Sequence, residues 1–168
     1  LGDSTQALEH LRAALKIAPD DVIVLERLSD LLSRESQHAE AIGIAKRLVD
    51  ACRMPTMRVL ALIHLARVEK RRGDPSGAAK ALAEAVAIDG PSGGAGTAFR
   101  EMIGQGATHA DYAAALRKHI SSLRAGAGAP IEVILELARV QANELQAPAE
   151  ALSTLREGLA KHPSNVSL

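Results

Sequence analysis

Aromatic residues are nearly absent from this chain of 168 residues, which has one phenylalanine, one tyrosine and no tryptophan. Without rings, the core of each packed unit buries less apolar area, and burial of apolar area is the main source of folding free energy. We therefore expect modest stability from each unit.

Three further absences exclude whole classes of protein. Twenty basic and twenty acidic residues give no net charge, so the basic surface of a nucleic-acid binder is missing. No apolar run of 18 residues is free of charges, so we expect no membrane span. The single Cys52 excludes an internal disulfide, and we expect it to be a buried or half-buried apolar residue.

The remaining composition is that of a soluble protein. Hydrophobic residues make up 47% and charged residues 24% of the chain, and the length suits one domain spanning 1–168. No alternation typical of strands is visible, which predicts an all-α protein. Composition leaves the compartment open between cytoplasm and periplasm.

Residues 59–91 contain one complete structural unit. A first helix with a buried stripe is followed by Gly73, which tolerates a left-handed backbone, and by Asp74 as a helix cap. Pro75 opens the second helix, and Gly90 and Pro91 end it. The residues of the two stripes are Leu62, Leu65, Ala66, Val68 and Glu69, then Ala78, Leu82, Ala85 and Val86.

This unit recurs along the chain. Ala7, Ala41 and Ala78 occupy equivalent positions 34 and 37 residues apart, and a period near 34 is typical of a helix-turn-helix solenoid. The predicted units are 1–19 as a half unit, 20–55, 56–91, a degenerate unit 92–129, and 130–165. The chain thus begins inside a unit, and we expect it to be part of a longer array.

The fourth unit is predicted to be degenerate because a run of glycines interrupts the helical pattern at its start. Gly90, Gly93, Gly94 and Gly96 stop the preceding helix. We predict a short helix from Thr97 to Ile103 and a firmer one from Thr108 or Asp111 to Leu123. After a separator at 126–130, helices at 131–145 and 148–162 restore the pattern with one extra residue at their turn. The stripes in this part are Tyr112, Leu116, Ile120 and Leu123, then Ile134, Leu137 and Ala138, then Ala151, Leu155 and Gly158, before Pro163.

The pattern of Leu65-Ala66, Ala78, Leu82 and Ala85 with a closing proline resembles the tetratricopeptide repeat family. The resemblance implies a right-handed α-α superhelix of about four and a half repeats, without cofactor. One branch of that family holds the carboxyl tails of chaperones with lysines and asparagines. Asp30 and Arg67 stand where its binding asparagine is expected, so that function is not carried over.

Motifs for catalysis or metal binding are weak. The run 90–97 mimics a phosphate-binding loop, but Gly96 stands where such a loop needs lysine. No two of the six histidines have the i, i+4 spacing of a helical zinc pair, and only His109 and His119, with Asp111 between them, suggest a site. We expect no enzyme activity within this chain.

The resemblance implies that the first helix of each repeat lines a concave groove. We predict that a peptide or partner helix docks there, with its acidic groups on arginines and its apolar side chains on Leu60 and Ile63. The alternative is that neighbouring helices cover Leu60 and Ile63 and the charges are only solvated. The predicted groove residues are Arg27, Asp30, Arg34, Leu60, Ile63, His64, Arg67, Lys70, Arg71, Glu136, Arg139 and Asn143.

Two functions fit this prediction. The first is a scaffold for protein–protein interaction. The second is a regulatory segment of a larger enzyme such as a glycosyltransferase, of a secretion component or of a transcription regulator, with the activity outside this chain. Uncapped ends also leave apolar surface open, so weak end-to-end self-association is a further expectation.

Overall fold

The structure, a computed structural model, describes residues 2–123 and 130–161. The helices are α1 (Gly2–Ile17), α2 (Val22–Arg34), α3 (His38–Ala51), α4 (Pro55–Arg72), α5 (Pro75–Asp89), α6 (Gly94–Met102), α7 (His109–Ser122), α8 (Ile131–Arg139), a π-helical turn (Val140–Glu144) and α9 (Pro148–Lys161). In these ranges the only β-type pairing is an isolated bridge between Ile103 and Ala107. Most of the predicted separator, and all of the predicted ending at Pro163 and beyond, lie outside the described residues.

The helices stack as antiparallel hairpins. α2 packs on α3, α4 on α5 and α8 on α9, while α3 and α5 also pack on the first helix of the next pair. α2 contacts α4, and α4 contacts α6, so alternate helices lie side by side. The predicted all-α solenoid is confirmed, and the helices between α1 and α9 bury their stripes against neighbours on both sides.

The predicted stripes form most of the core. Leu25, Leu28, Leu62 and Leu82 are at most 4% exposed. Small residues let the helices approach closely; the fully or almost fully buried alanines of the second helices include Ala41, Ala45, Ala78 and Ala85. Ile120, Leu123 and Leu155 are only half-buried.

Local capping chemistry sets the turn between α4 and α5. Gly73 has a φ of 84°, in the left-handed region that glycine adopts without a Cβ clash. The Asp74 carboxylate accepts a hydrogen bond from the Gly77 N–H at 2.8 Å, and Pro75 begins α5. The predicted roles of all three residues are confirmed.

The glycine-rich unit differs from its prediction. α6 begins at Gly94, three residues before the predicted Thr97, so two of the glycines lie inside its first turn. A Cβ on Gly96 would clash with the Pro91 carbonyl oxygen, so the loop packs directly on the helix.

The short α6 leaves α7 in direct contact with α5. α7 starts with a capping box between Thr108 and Asp111.

The extra residue of the last pair lies inside a helix rather than in the turn. After Arg139 the helix widens into the π-helical turn, where the Leu145 N–H donates to the Val140 carbonyl at 3.0 Å. A π turn takes one more residue than an α turn and so absorbs an insertion. It buries Gln141, whose side-chain oxygen accepts a hydrogen bond from the Thr154 hydroxyl at 2.8 Å.

Candidate partner-binding face

The neighbouring helices α2 and α4 present one shared surface, which we call the α2–α4 face. Both run in the same direction, because each is antiparallel to α3, which lies between them in the chain. Its members are the exposed or half-buried residues Ile23, Glu26, Arg27, Asp30, Arg34, Met57, Leu60, Ile63, Arg67, Lys70 and Arg71.

The amino-terminal end of the α2–α4 face is apolar. Ile23 is 70% exposed, Leu60 60% and Met57 42%, and Met54 just before α4 is 64% exposed. Met57 and Leu60 line one small cavity together, and exposed large apolar side chains grouped on a surface are typical of an interaction site. Leu60 is therefore not covered by neighbouring helices, contrary to the alternative considered from the sequence.

The carboxyl-terminal end of the face is basic. Asp30 binds Arg71 at 2.8 Å and Arg34 at 2.6 Å. Partial burial opposes ionisation of Asp30, but the hydrogen bond from Arg71 and the nearby positive charges outweigh it and lower its pKa. Arg27, Arg67 and Lys70 have no carboxylate of the described residues within 4.0 Å. These three cations are free to bind an acidic partner.

His64 was expected among the exposed groove residues, but it lies beneath them and forms part of the wall of a small cavity beside Leu60. Its side chain is buried, and Nε2 lies 2.9 Å from the Ser29 hydroxyl oxygen on α2. Burial lowers the pKa of His64, so the ring is neutral at pH 7. The sequence places His64 on the same stripe of α4 as Leu60 and Arg67, but α2 approaches closely enough to cover it.

Ile63 lies at the edge of the α2–α4 face towards α6. It is half-buried, and its Cδ1 lies 3.9 Å from the position of a Cβ built on Gly94. The first turn of α6 thus covers part of Ile63. Of the two apolar residues predicted to contact a partner, Leu60 is the more accessible.

The three predicted residues of the last hairpin form a separate cluster. Glu136 binds Arg139 at 2.9 Å, and this hydrogen bond lowers the pKa of Glu136. Asn143 is exposed in the π turn. Arg100 of α6 lies 3.9 Å from Glu136 and links the hairpin to α6, which stands between this cluster and the α2–α4 face.

Some functional candidates escaped the sequence analysis. Arg100 donates hydrogen bonds to the Tyr112 hydroxyl at 2.8 Å and to the Pro91 carbonyl at 3.1 Å, and nothing in the glycine-rich sequence around it signals this role. Ile23 and Met57 extend the apolar patch. Met57 could have been found, because it stands three residues before Leu60 on the same helical stripe.

The histidines of α7 occupy different surroundings. His109 lies 3.5 Å from Glu144, whereas His119 is buried with Nδ1 3.2 Å from the Ala87 carbonyl oxygen. Ten residues of helix separate them by about 15 Å, so they do not share a site. Residues 2–123 and 130–161 contain no group of three or more side chains placed to hold a metal ion.

The stacked hairpins define an α-helical repeat solenoid. Two solved structures share this fold, both of MamA. One, described as the crystal structure of MamA protein, matches 96% of this chain and 84% of its own, with a TM-score of 0.51 and 20% identity. The other, the crystal structure of MamA, matches 99% and 93%, with a TM-score of 0.52 and 20% identity. At this identity the likeness establishes the fold alone.

Comparison of the sequence itself gives no relative. No protein-family model and no curated protein matches it. Within the described part of the chain, no helix combines the length and apolar character needed to cross a bilayer.

Proposed function

We propose that this protein is a scaffold of the tetratricopeptide type that binds a peptide or a partner helix on its α2–α4 face. The observation that carries the proposal is the exposed Leu60 on the same helical stripe as Arg67, a cation without a carboxylate partner. In solenoids of this kind the first helices of the repeats form the inner wall, where ligands dock.

The binding set differs in part from the one expected from the sequence. Leu60 and Met57 supply apolar contact, and Arg27, Arg67 and Lys70 supply charge. Arg guanidinium groups hold carboxylates with paired hydrogen bonds, so acidic side chains of the partner bind there. Arg34 and Arg71 contribute less because Asp30 already occupies them.

The cluster of Glu136, Arg139 and Asn143 serves only a partner long enough to cross α6. Its charges are largely matched within the chain, since Glu136 lies between Arg100 and Arg139. It therefore adds specificity rather than most of the affinity. The proposal gives the chain no catalytic activity of its own.

Capture of a partner from native extract tests the proposal when four variants are compared. Leu60→Asp and Arg67→Glu change the α2–α4 face, and both are expected to lose a partner that the unaltered chain captures. Ile17→Asp and Arg156→Glu make the same chemical changes at exposed positions elsewhere and are expected to keep it. Circular dichroism checks that all four remain helical. Equal capture by all variants would place the binding site elsewhere.

A further inference from the structure

A small cavity opens beside Leu60, between the amino-terminal halves of α2 and α4 and the end of α3. Its volume is about 90 Å³. This is roughly the volume of three water molecules, and it matches one aliphatic side chain. Its apolar lining residues are Val22, Leu48, Cys52, Met57, Leu60 and Ala61, and its polar ones are Glu26 and His64.

The cavity has a buried floor and an adaptable rim. Cys52 and Ala61 are 5% and 4% exposed, so these two floor positions are apolar and shielded from water, while Glu26 and His64 supply polar wall. Met57 and Leu60 stand exposed at the rim, and methionine adjusts its shape to the group it contacts. An aliphatic side chain entering from solvent would exchange water contact for apolar contact with most of the lining.

Charge changes sign along the face that leads away from the cavity. Glu26 borders the cavity, whereas Arg67 lies seven residues beyond Leu60 on the same stripe of α4. Seven residues of helix span about 10.5 Å. An extended peptide covers the same distance in about three residues. An acidic residue beside the anchor would meet Glu26, but one three residues away would meet Arg67.

We propose that the cavity takes one aliphatic side chain of an extended peptide whose acidic residue lies three positions from that anchor, in either chain direction, and binds Arg67. This rests on the proposed function and names the chemistry of its partner. Since Arg27 and Lys70 are also free, a second acidic residue beyond the first strengthens binding.

Two labelled peptides of identical composition test the register by fluorescence anisotropy at low salt. The first carries a leucine with one aspartate three positions before it and another three positions after it. The second carries the same two aspartates directly next to the leucine, one on each side. The first is expected to bind at least tenfold more tightly. Equal affinity, or no binding of either peptide at millimolar concentration, would overturn the inference.

A larger side chain at the cavity floor tests the cavity separately from the scaffold function of the whole face. Ala61→Leu occupies the floor and is expected to weaken the first peptide at least tenfold, whereas Leu60→Asp weakens every ligand of the face. Loss of a captured partner in Leu60→Asp but unchanged peptide binding in Ala61→Leu would reject the cavity and leave the scaffold function standing.

Cys52 provides a readout that needs no core substitution. It is the only cysteine, so a small thiol reagent reports on the cavity floor alone. Saturating peptide is expected to slow its alkylation at least fivefold in the unaltered chain. An unchanged rate with peptide bound would show that the anchor does not enter the cavity.

Discussion

The Ser29 hydroxyl oxygen lies 2.9 Å from Nε2 of His64, and both side chains are buried where α2 packs on α4. The bond joins two helices through residues that are 35 positions apart in the chain. It also places a titratable group directly beneath the α2–α4 face. The stability of that face therefore depends on keeping His64 neutral.

Stability is expected to fall as the pH drops below about 6.5. Burial holds the pKa of folded His64 below its ordinary value of 6.5, so the unfolded chain takes up a proton that the folded chain refuses. The contribution is complete above 6.5 and is lost as the pH falls towards the folded pKa. Its slope is at most about 1.4 kcal/mol per pH unit. Nearby charges modulate it, namely Glu26, Arg67, Asp30 and Arg71.

Urea unfolding between pH 5 and 7.5 measures this slope. His64→Gln is expected to flatten it, whereas His10→Gln, at an exposed position on α1, is expected to leave it unchanged. The same slope in His64→Gln as in the unaltered chain would assign it to other groups.

Two helical glycines are expected to respond oppositely to alanine. Gly96→Ala places a Cβ against the Pro91 carbonyl and should cost about 1–3 kcal/mol through overpacking. Gly43 in α3 has open space around it, so Gly43→Ala should stabilise by about 0.5–1 kcal/mol through helix propensity. Thermal unfolding of both variants measures the difference. A neutral Gly96→Ala would mean that the loop moves away from α6.

Thr154→Val tests the buried contact of the π turn. The substitution removes the hydroxyl that donates to Gln141, leaving a buried amide oxygen without that partner at a cost of about 1–3 kcal/mol. Ser153→Ala, next to it on the exposed side of α9, is expected to change stability by less than about 0.5 kcal/mol. Chemical denaturation compares the two, and equal effects would show that the Gln141 contact contributes nothing.

Asp30→Asn should strengthen binding of an acidic peptide. The substitution releases Arg34 and Arg71 from Asp30, and the gain is expected to reach about fivefold, the upper range for exposed ion pairs. It should fade in high salt because exposed charges are screened. Asp50→Asn makes the same change on α3, away from the face, and is expected to have no effect. Anisotropy titrations at two salt concentrations decide between these outcomes.

Local chemistry made the hairpins predictable. Gly73, Asp74 and Pro75 act on their own neighbours in the chain, so their roles follow from residue type alone. The buried stripes followed likewise from the helical period. The fold class was therefore accessible from the sequence.

Features that depend on a distant neighbour were not accessible. His64 is buried because α2 reaches it, which no pattern within α4 records. Gly96 was expected to lie before the short helix, whereas it lies in the first turn of α6 and lets the Pro91 carbonyl approach the helix. The insertion in the last hairpin was noticed, but residue counting does not say that a helix widens at Val140 to absorb it.

The only phenylalanine and the only tyrosine of the chain stack on each other, with ring centroids of Phe99 and Tyr112 5.3 Å apart. With no tryptophan to mask it, ultraviolet emission from the native protein comes from one place, the joint between α6 and α7. A thermal unfolding curve monitored by that emission reports on the glycine-rich unit of α6 and α7. Far-ultraviolet circular dichroism reports on all the helices. The two curves together show, without any label, whether the solenoid melts as one body or comes apart at its most irregular unit.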